Sequence, residues 1–214
     1  MLEALLENPQ GLSVAELADH LGVGRSIARR LVITLLRRHL VWESSRGRYQ
    51  LGPKLVELAG GVQPQLQAVS EPILRELAGT TGETAVLSVA DGASGVALAS
   101  IAPAASNIHI VWRVGWRFPL DRGASGLAML SLREPAPDDL PEVTRCRDRG
   151  WAYSHSELQR GASAVAAPIV SLRWPVVASV GVVSGGTLDA DEVGPATVRA
   201  ADQIGRALDR LATS

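Results

Sequence analysis

Leu21-Gly-Val-Gly-Arg-Ser-Ile-Ala-Arg-Arg-Leu-Val32 decides how the first part of this chain folds. Its opening, Leu21-Gly22-Val23-Gly24, has the composition of a tight turn, with Gly22 suited to a positive φ. Just upstream, Ser13-Val-Ala-Glu16 is a capping-box pattern, in which a hydroxyl and a carboxylate satisfy two orphan N–H groups at a helix start. The helix opened there is predicted to bury Val14, Leu17 and Ala18. Downstream, a helix is predicted from about Gly24 to Arg38. Ala28, Leu31, Val32 and Leu35, spaced i, i+3, i+4, i+7, form its core stripe. Arg25, Ser26, Ile27, Arg29 and Arg30 are then left on the other side of its first two turns. Two helices around a glycine turn are a device for laying the second helix in the major groove of DNA.

The flanks agree with that layout. Leu2, Leu5 and Leu6 predict a first helix ending before Asn8-Pro9, because proline disfavours helix in the residue before it. Val41-Trp-Glu43 and Arg48-Tyr-Gln-Leu51 are short strand candidates joined by Ser44-Ser-Arg-Gly47, a small wing. Between Gly24 and Lys54 stand eight Arg or Lys (Arg25, Arg29, Arg30, Arg37, Arg38, Arg46, Arg48, Lys54) against one acid, Glu43. The net charge of −1 over the whole chain hides this local asymmetry, which is the electrostatic footprint of a nucleic-acid surface. Arginine reads guanine bidentately and Ile27 suits a thymine methyl group. Arg46 and Arg48, on the wing, are placed to follow a phosphate backbone. A merely solvated basic face is the plainer alternative, and the coincidence of helix, turn, helix and wing weighs against it.

The chain has 214 residues, 46 % of them hydrophobic and 20 % charged, as in ordinary globular proteins. The length suits one small and one medium domain, divided at about residues 1–60 and 61–214. No run of 18 uncharged apolar residues occurs, so no membrane span is expected. The start, Met1-Leu-Glu-Ala-Leu-Leu-Glu7, is acidic and helical rather than signal-like. Cys146 stands alone, so no internal disulfide is possible and the cytoplasm is the expected setting.

From Gly52-Pro53 a connecting helix is predicted, with Leu55, Leu58 and Ala59 on its apolar side, interrupted at Gly60-Gly61 and Pro64. A further helix follows over about 65–78. The pattern then changes to short β-type runs at 84–90, 95–101, 107–112, 164–170 and 176–183, with Asp91-Gly92 as a hairpin signal. A last helix spans about 190–212, with Asp189 and Asp191 as capping and dipole partners. Strands covered by helices on one face predict an α+β sheet domain behind the winged helix-turn-helix.

These residues resemble the IclR family of bacterial transcription regulators. The similarity is carried by Leu21-Gly-Val-Gly-Arg-Ser-Ile-Ala-Arg-Arg-Leu-Val32, by Leu35 and by Tyr49-Gln-Leu-Gly-Pro53. Further landmarks are Gly115-Trp-Arg-Phe-Pro-Leu-Asp-Arg-Gly-Ala-Ser-Gly-Leu-Ala128, Arg149-Gly-Trp-Ala152, Gly161-Ala-Ser-Ala-Val-Ala-Ala-Pro168 and Val182-Val-Ser-Gly185. The resemblance implies a GAF-like antiparallel C-terminal domain that binds a small organic effector, often an acid. It implies a homodimer or dimer of dimers on double-stranded operator DNA, with no cofactor. By that resemblance Trp116, Ala124, Ser125, His155, Ala164 and Ser184 are the candidate effector contacts. Gly123 to Gly126 precede a helix predicted over 127–132, whose free N–H groups favour an anion. Ile27 replaces the family's usual threonine, and His39 replaces a glycine that serves as an αL cap. The segment between Leu132 and Arg149 is shorter than is usual, which predicts a shallower or more open pocket.

Enzyme signatures are missing from the sequence. Leu127 stands where Gly-x-Ser-x-Gly needs its second glycine, and there is no G-x-G-x-x-G or P-loop. His20, His39, His109 and His155 are scattered, with no metal-ligand spacing. The remaining rival is an effector-sensing or dimerisation protein whose DNA binding is weak, altered or lost.

Overall fold

The computed structural model describes residues 1–44, 47–104 and 112–212, and the chain divides into two compact units at the start of the helix that opens with Pro64. The first unit contains α1 (Leu2–Glu7), α2 (Val14–Leu21), α3 (Arg25–Arg37), β1 (Val41–Glu43), β2 (Tyr49–Leu51) and α4 (Lys54–Gly60). The capping box forms: the Ser13 N–H donates to Glu16 Oε2 at 2.7 Å and the Glu16 N–H to Ser13 Oγ at 3.3 Å. Gly22 ends α2 in the left-handed region at φ 64°. Leu5, Leu12, Leu17, Val32 and Val41 make the core. Burying each of the larger side chains is worth about 1.5–3 kcal/mol, so this small core rests on very few residues.

Helix α3 ends in a Schellman motif. The Leu40 N–H bonds Leu35 O at 3.0 Å and the His39 N–H bonds Leu36 O at 2.9 Å, with His39 at φ 57°. Thus His39 adopts the αL conformation that glycine usually supplies at this position. Leu31 departs from the expected core stripe and is 44 % exposed. Ala28 and Val32 centre the buried face, and Leu31 lies on its rim, beside Met1, Leu2 and Leu35. β1 and β2 pair antiparallel, with Val41 opposite Leu51 and Glu43 opposite Tyr49.

The second unit holds α5 (Pro64–Thr81), β3 (Thr84–Asp91), β4 (Ser94–Ile101), β5 (Arg117–Pro119), α6 (Ala124–Leu130), α7 (Pro141–Arg149), β6 (Ala152–His155), β7 (Ser163–Ile169), β8 (Ala178–Ser184) and α8 (Ala190–Leu211). Six antiparallel strands run in the order β5-β4-β3-β8-β7-β6. Most of the strand expected at 107–112 lies outside the described residues, while β5 and β6 are additional edge strands. Helices cover both faces rather than one. Leu66, Leu74 and Leu77 of α5 and Ile204 and Leu208 of α8 pack against Leu87, Val165 and Val180. Leu127 and Met129 of α6 and Val143 and Cys146 of α7 pack against Val86, Ala166 and Val183 on the other side. With apolar neighbours on both faces, β8 is buried along its whole length. Among the described residues no helix is long and apolar enough to cross a membrane, and no group of three or more His, Cys, Asp or Glu is placed to hold a metal ion.

Candidate nucleic-acid interface and effector cavity

Arg25, Ser26, Ile27, Arg29 and Arg30 are all exposed on α3. Arg30 lies two residues past the buried Ala28, roughly 200° around the helix, so it points away from the core. Arg37 falls one heptad beyond Arg30 and extends the same exposed face by two turns, a position the sequence reading passed over. The N-cap, Gly24, makes no side-chain cap, and Ile27 is 42 % exposed. This is a helix start with open N–H groups, three arginines and one apolar contact in its first two turns. Arg46 lies outside the described residues.

Arg48 does not stand free on the wing. Its Nε donates to Gly11 O at 2.9 Å, and its Nη2 reaches the Glu16 carboxylate at 3.1 Å. Its guanidinium ties the base of the wing to the start of α2, so two of its nitrogens are already engaged within the domain. Hydrogen bonds from Ser13, with Arg48 beside them, hold the Glu16 carboxyl down at a pKa of about 2.

In the second unit α6 begins at Ala124, three residues earlier than expected, so Ala124, Ser125 and Gly126 lie inside the helix. Its first amides are not free. The Gly123 N–H donates to Glu157 Oε2 at 2.7 Å, and the Ala124 N–H donates to Ser154 Oγ at 2.9 Å. The anticipated open anion seat is thus closed by the protein's own side chains. Ser125 is buried in α6 and makes no cap there. Beside these amides lies a small cavity of about 10 Å³, lined by Trp112, Ser154, Glu157, Leu158, Ala164 and Val183 among others. That volume is the size of one water, far below the several hundred Å³ of an organic-ligand pocket.

Register explains which candidates reach this cavity. Ser154 pairs with Ala164, and Ala164 with Val183, so the three form one row across β6, β7 and β8. His155, Ser163 and Ser184 form the next row, of which only Ser163 lines the cavity. Ala164 lines the cavity, whereas His155 and Ser184 do not. His155 is exposed with its Nδ1 2.9 Å from Ser163 Oγ, and Ser184 Oγ accepts from the Gly186 N–H at 3.3 Å. Trp116 is half-buried and stacks edge-on with Trp112 at 4.7 Å, next to Phe118. Trp112, buried, lines the cavity itself, and its Nε1–H finds no hydrogen-bond partner among the described residues.

The short 133–148 segment is firmly held. Arg147 donates to Ser131 O and Arg133 O and pairs with Asp139 at 2.7 Å. Glu142 joins Arg145, Arg149 and the Tyr153 N–H, fastening α7 to β6. An open surface pocket of about 430 Å³ lies here, lined by Asp121, Arg122, Leu127, Leu140, Glu142, Arg145 and Glu157 among others. The shortened side thus has an open mouth, while the cavity behind it is shut. Cys146 is core: burial raises its thiol pKa.

A winged helix-turn-helix with a basic reading face, followed by an antiparallel sheet domain with a closed cavity, defines a two-domain DNA-binding regulator. Residues 1–43 match the model of the IclR helix-turn-helix domain, and residues 62–139 that of the bacterial transcriptional regulator IclR C-terminal domain. The HTH-type transcriptional regulator Rv1719 of Mycobacterium tuberculosis is 30 % identical over 200 residues, covering 83 % of this chain and 77 % of that protein. The chain belongs to the IclR family and is a DNA-binding transcriptional regulator. Among solved structures, the Thermotoga maritima IclR superposes with a TM-score of 0.72 at 25 % identity, over 97 % of this chain and 95 % of that one. An IclR homolog from Microbacterium hydrocarbonoxydans, complexed with 4-hydroxybenzoate, shares the fold with a TM-score of 0.79 at 20 % identity, over 93 % and 92 % of the two chains.

Proposed function

We propose that this regulator binds a partly palindromic operator as a homodimer, and that a small organic acid entering the C-terminal domain changes its grip. The observation that carries the DNA half is the exposed α3 face of Arg25, Ser26, Ile27, Arg29 and Arg30. Arg29 and Arg30 reach base edges and Ile27 meets a thymine methyl. A two-fold dimer sets its two reading helices about 34 Å apart or a multiple of that.

Helix α4 supports the dimer. It buries none of its residues, and Val56 and Leu58 are 78 % and 52 % exposed. An apolar helix surface of this kind is covered by a second copy in the assembled regulator. The organic-acid half rests on the donor-rich cavity beside Gly123 and Ala124, and on the relative that holds 4-hydroxybenzoate. The cytoplasm is the proposed setting.

Selection of bound fragments from a random-sequence DNA pool by the full chain, followed by footprinting, tests the DNA half. The proposal predicts an enriched motif with two inverted half-sites about one helical turn apart. Recovery of no enriched sequence contradicts it and favours a sensing protein that has lost operator recognition.

A further inference from the structure

We propose that the Glu157 carboxylate is a tethered stand-in for the effector's carboxylate, and that it gates the cavity between α6 and the sheet. This rests on the proposal that the domain takes a small organic acid.

Glu157 sits in the loop over residues 156–162, between β6 and β7. The loop closes on itself: the Ser156 N–H bonds Ala162 O at 2.7 Å, and the Gly161 N–H bonds Ser156 Oγ at 3.0 Å. Most of it is exposed, and Leu158 is its one half-buried apolar side chain of this span. Leu158 rests on Gly123, where any side chain at all would collide with it. Two holds therefore keep the loop down, one apolar through Leu158 and one charge-assisted through Glu157 and the Gly123 N–H.

Position makes this loop a gate. Glu157 lines both the closed cavity of about 10 Å³ and the open pocket of about 430 Å³, so it stands in the wall between them. The open side carries Arg122 and Arg145, together with Asp121 and Glu142. The closed side is lined by the Ser154 hydroxyl, Trp112 Nε1 and Gln159 beside Glu157, and the Gly123 and Ala124 N–H groups lie next to it, donating to Glu157 and Ser154. Trp112 points to the same cavity independently. It is only 6 % exposed, it lines the cavity, and its indole N–H is unpartnered among the described residues. A buried donor left unpaired is costly, and an acceptor atom of a bound acid would satisfy it. An incoming carboxylate exchanges with Glu157 on the Gly123 N–H, the loop lifts, and the cavity joins the pocket outside.

Such a gate lowers the affinity of a ligand by the fraction of time it stands open. Weakening the latch therefore tightens binding. The test is calorimetric titration of the full chain with acetate and benzoate, each beside its neutral amide, acetamide and benzamide. Wild type, Glu157→Gln and Leu158→Ala are compared, with melting curves to confirm folding. Glu157→Gln keeps the size of the latch and removes its charge. The expected result is roughly tenfold tighter carboxylate binding in Glu157→Gln, with a smaller gain for the amides, which enter the same opened cavity but bring no charge to the Gly123 N–H. Leu158→Ala leaves the Glu157 hydrogen bond intact and tightens carboxylate binding through the apolar hold alone. Carboxylates binding Glu157→Gln equally or more weakly than wild type overturns the gate and leaves the organic-acid proposal standing. Failure of every acid to bind any of the three proteins removes that proposal, and the gate with it.

Discussion

Two helix starts in this protein are built in opposite ways. Helix α3 begins at Gly24 with no side-chain cap, and its first two turns carry Arg25, Arg29 and Arg30 into solvent. Helix α6 begins at Gly123 with its first amides taken by Glu157 and Ser154, under a loop that rests on the glycine. The difference follows from the size of what each one meets. A DNA duplex brings its own surface and charge, so its reader stays open and pre-formed. A small acid needs a dry, enclosed seat, and an empty enclosed seat leaves donors unsatisfied unless the protein fills it itself.

The largest effect that would sharpen this contrast is on the open side. Arg29→Ala or Arg30→Ala is expected to weaken operator binding by roughly 1–3 kcal/mol where the side chain reads a base. Gel-shift titration checks it, and unchanged affinity in both variants breaks the assignment of that face. On the closed side, Gly123→Ala forces a side chain into a φ of 77° and against Leu158, at a cost of about 1–3 kcal/mol. Chemical denaturation measures that loss. Faster hydrogen exchange over residues 156–162 would show the loop displaced.

The capping box gives a smaller, pH-dependent effect. Glu16 is held at a pKa of about 2, below its ordinary 4.5, so its contribution to stability is complete above pH 4.5 and fades as the pH falls towards 2. Thermal melts of wild type and Glu16→Gln should differ most above pH 4.5 and converge near pH 2. A difference that stays constant over that window contradicts the pairing. Smallest is His39→Gly, which relieves a non-glycine αL residue and should stabilise the winged domain by about 0.5–1 kcal/mol in urea unfolding.

The same contrast separates what could be read from sequence. The winged domain is local: the capping box, the Gly22 turn and the His39 cap each involve residues within a few positions, and each was legible. Leu31 was misplaced because a four-residue stripe does not say which leucine sits on its rim. The partners of Arg48, Gly11 and Glu16, lie more than thirty residues away and have no local signature. In the sheet domain the strands are buried on both faces, so no alternation of apolar and polar residues tells which side a residue faces. Ser154 and Val183 line the cavity, and His155 and Ser184, their sequence neighbours, do not. The bond from Gly123 to Glu157, 34 residues on, has no signature in the sequence at all.

The most direct test of the account is the salt dependence of operator binding, measured by fluorescence anisotropy for wild type, Arg30→Ala and Arg48→Ala. Each phosphate contact contributes about −0.9 to the slope of log K against log salt. Arg48, engaged by Gly11 and Glu16, should leave that slope unchanged when removed. Arg30→Ala should weaken binding about tenfold or more at every salt concentration. A slope shallower by about 0.9 in Arg48→Ala, with no loss in Arg30→Ala, would contradict the placement of the DNA surface on α3.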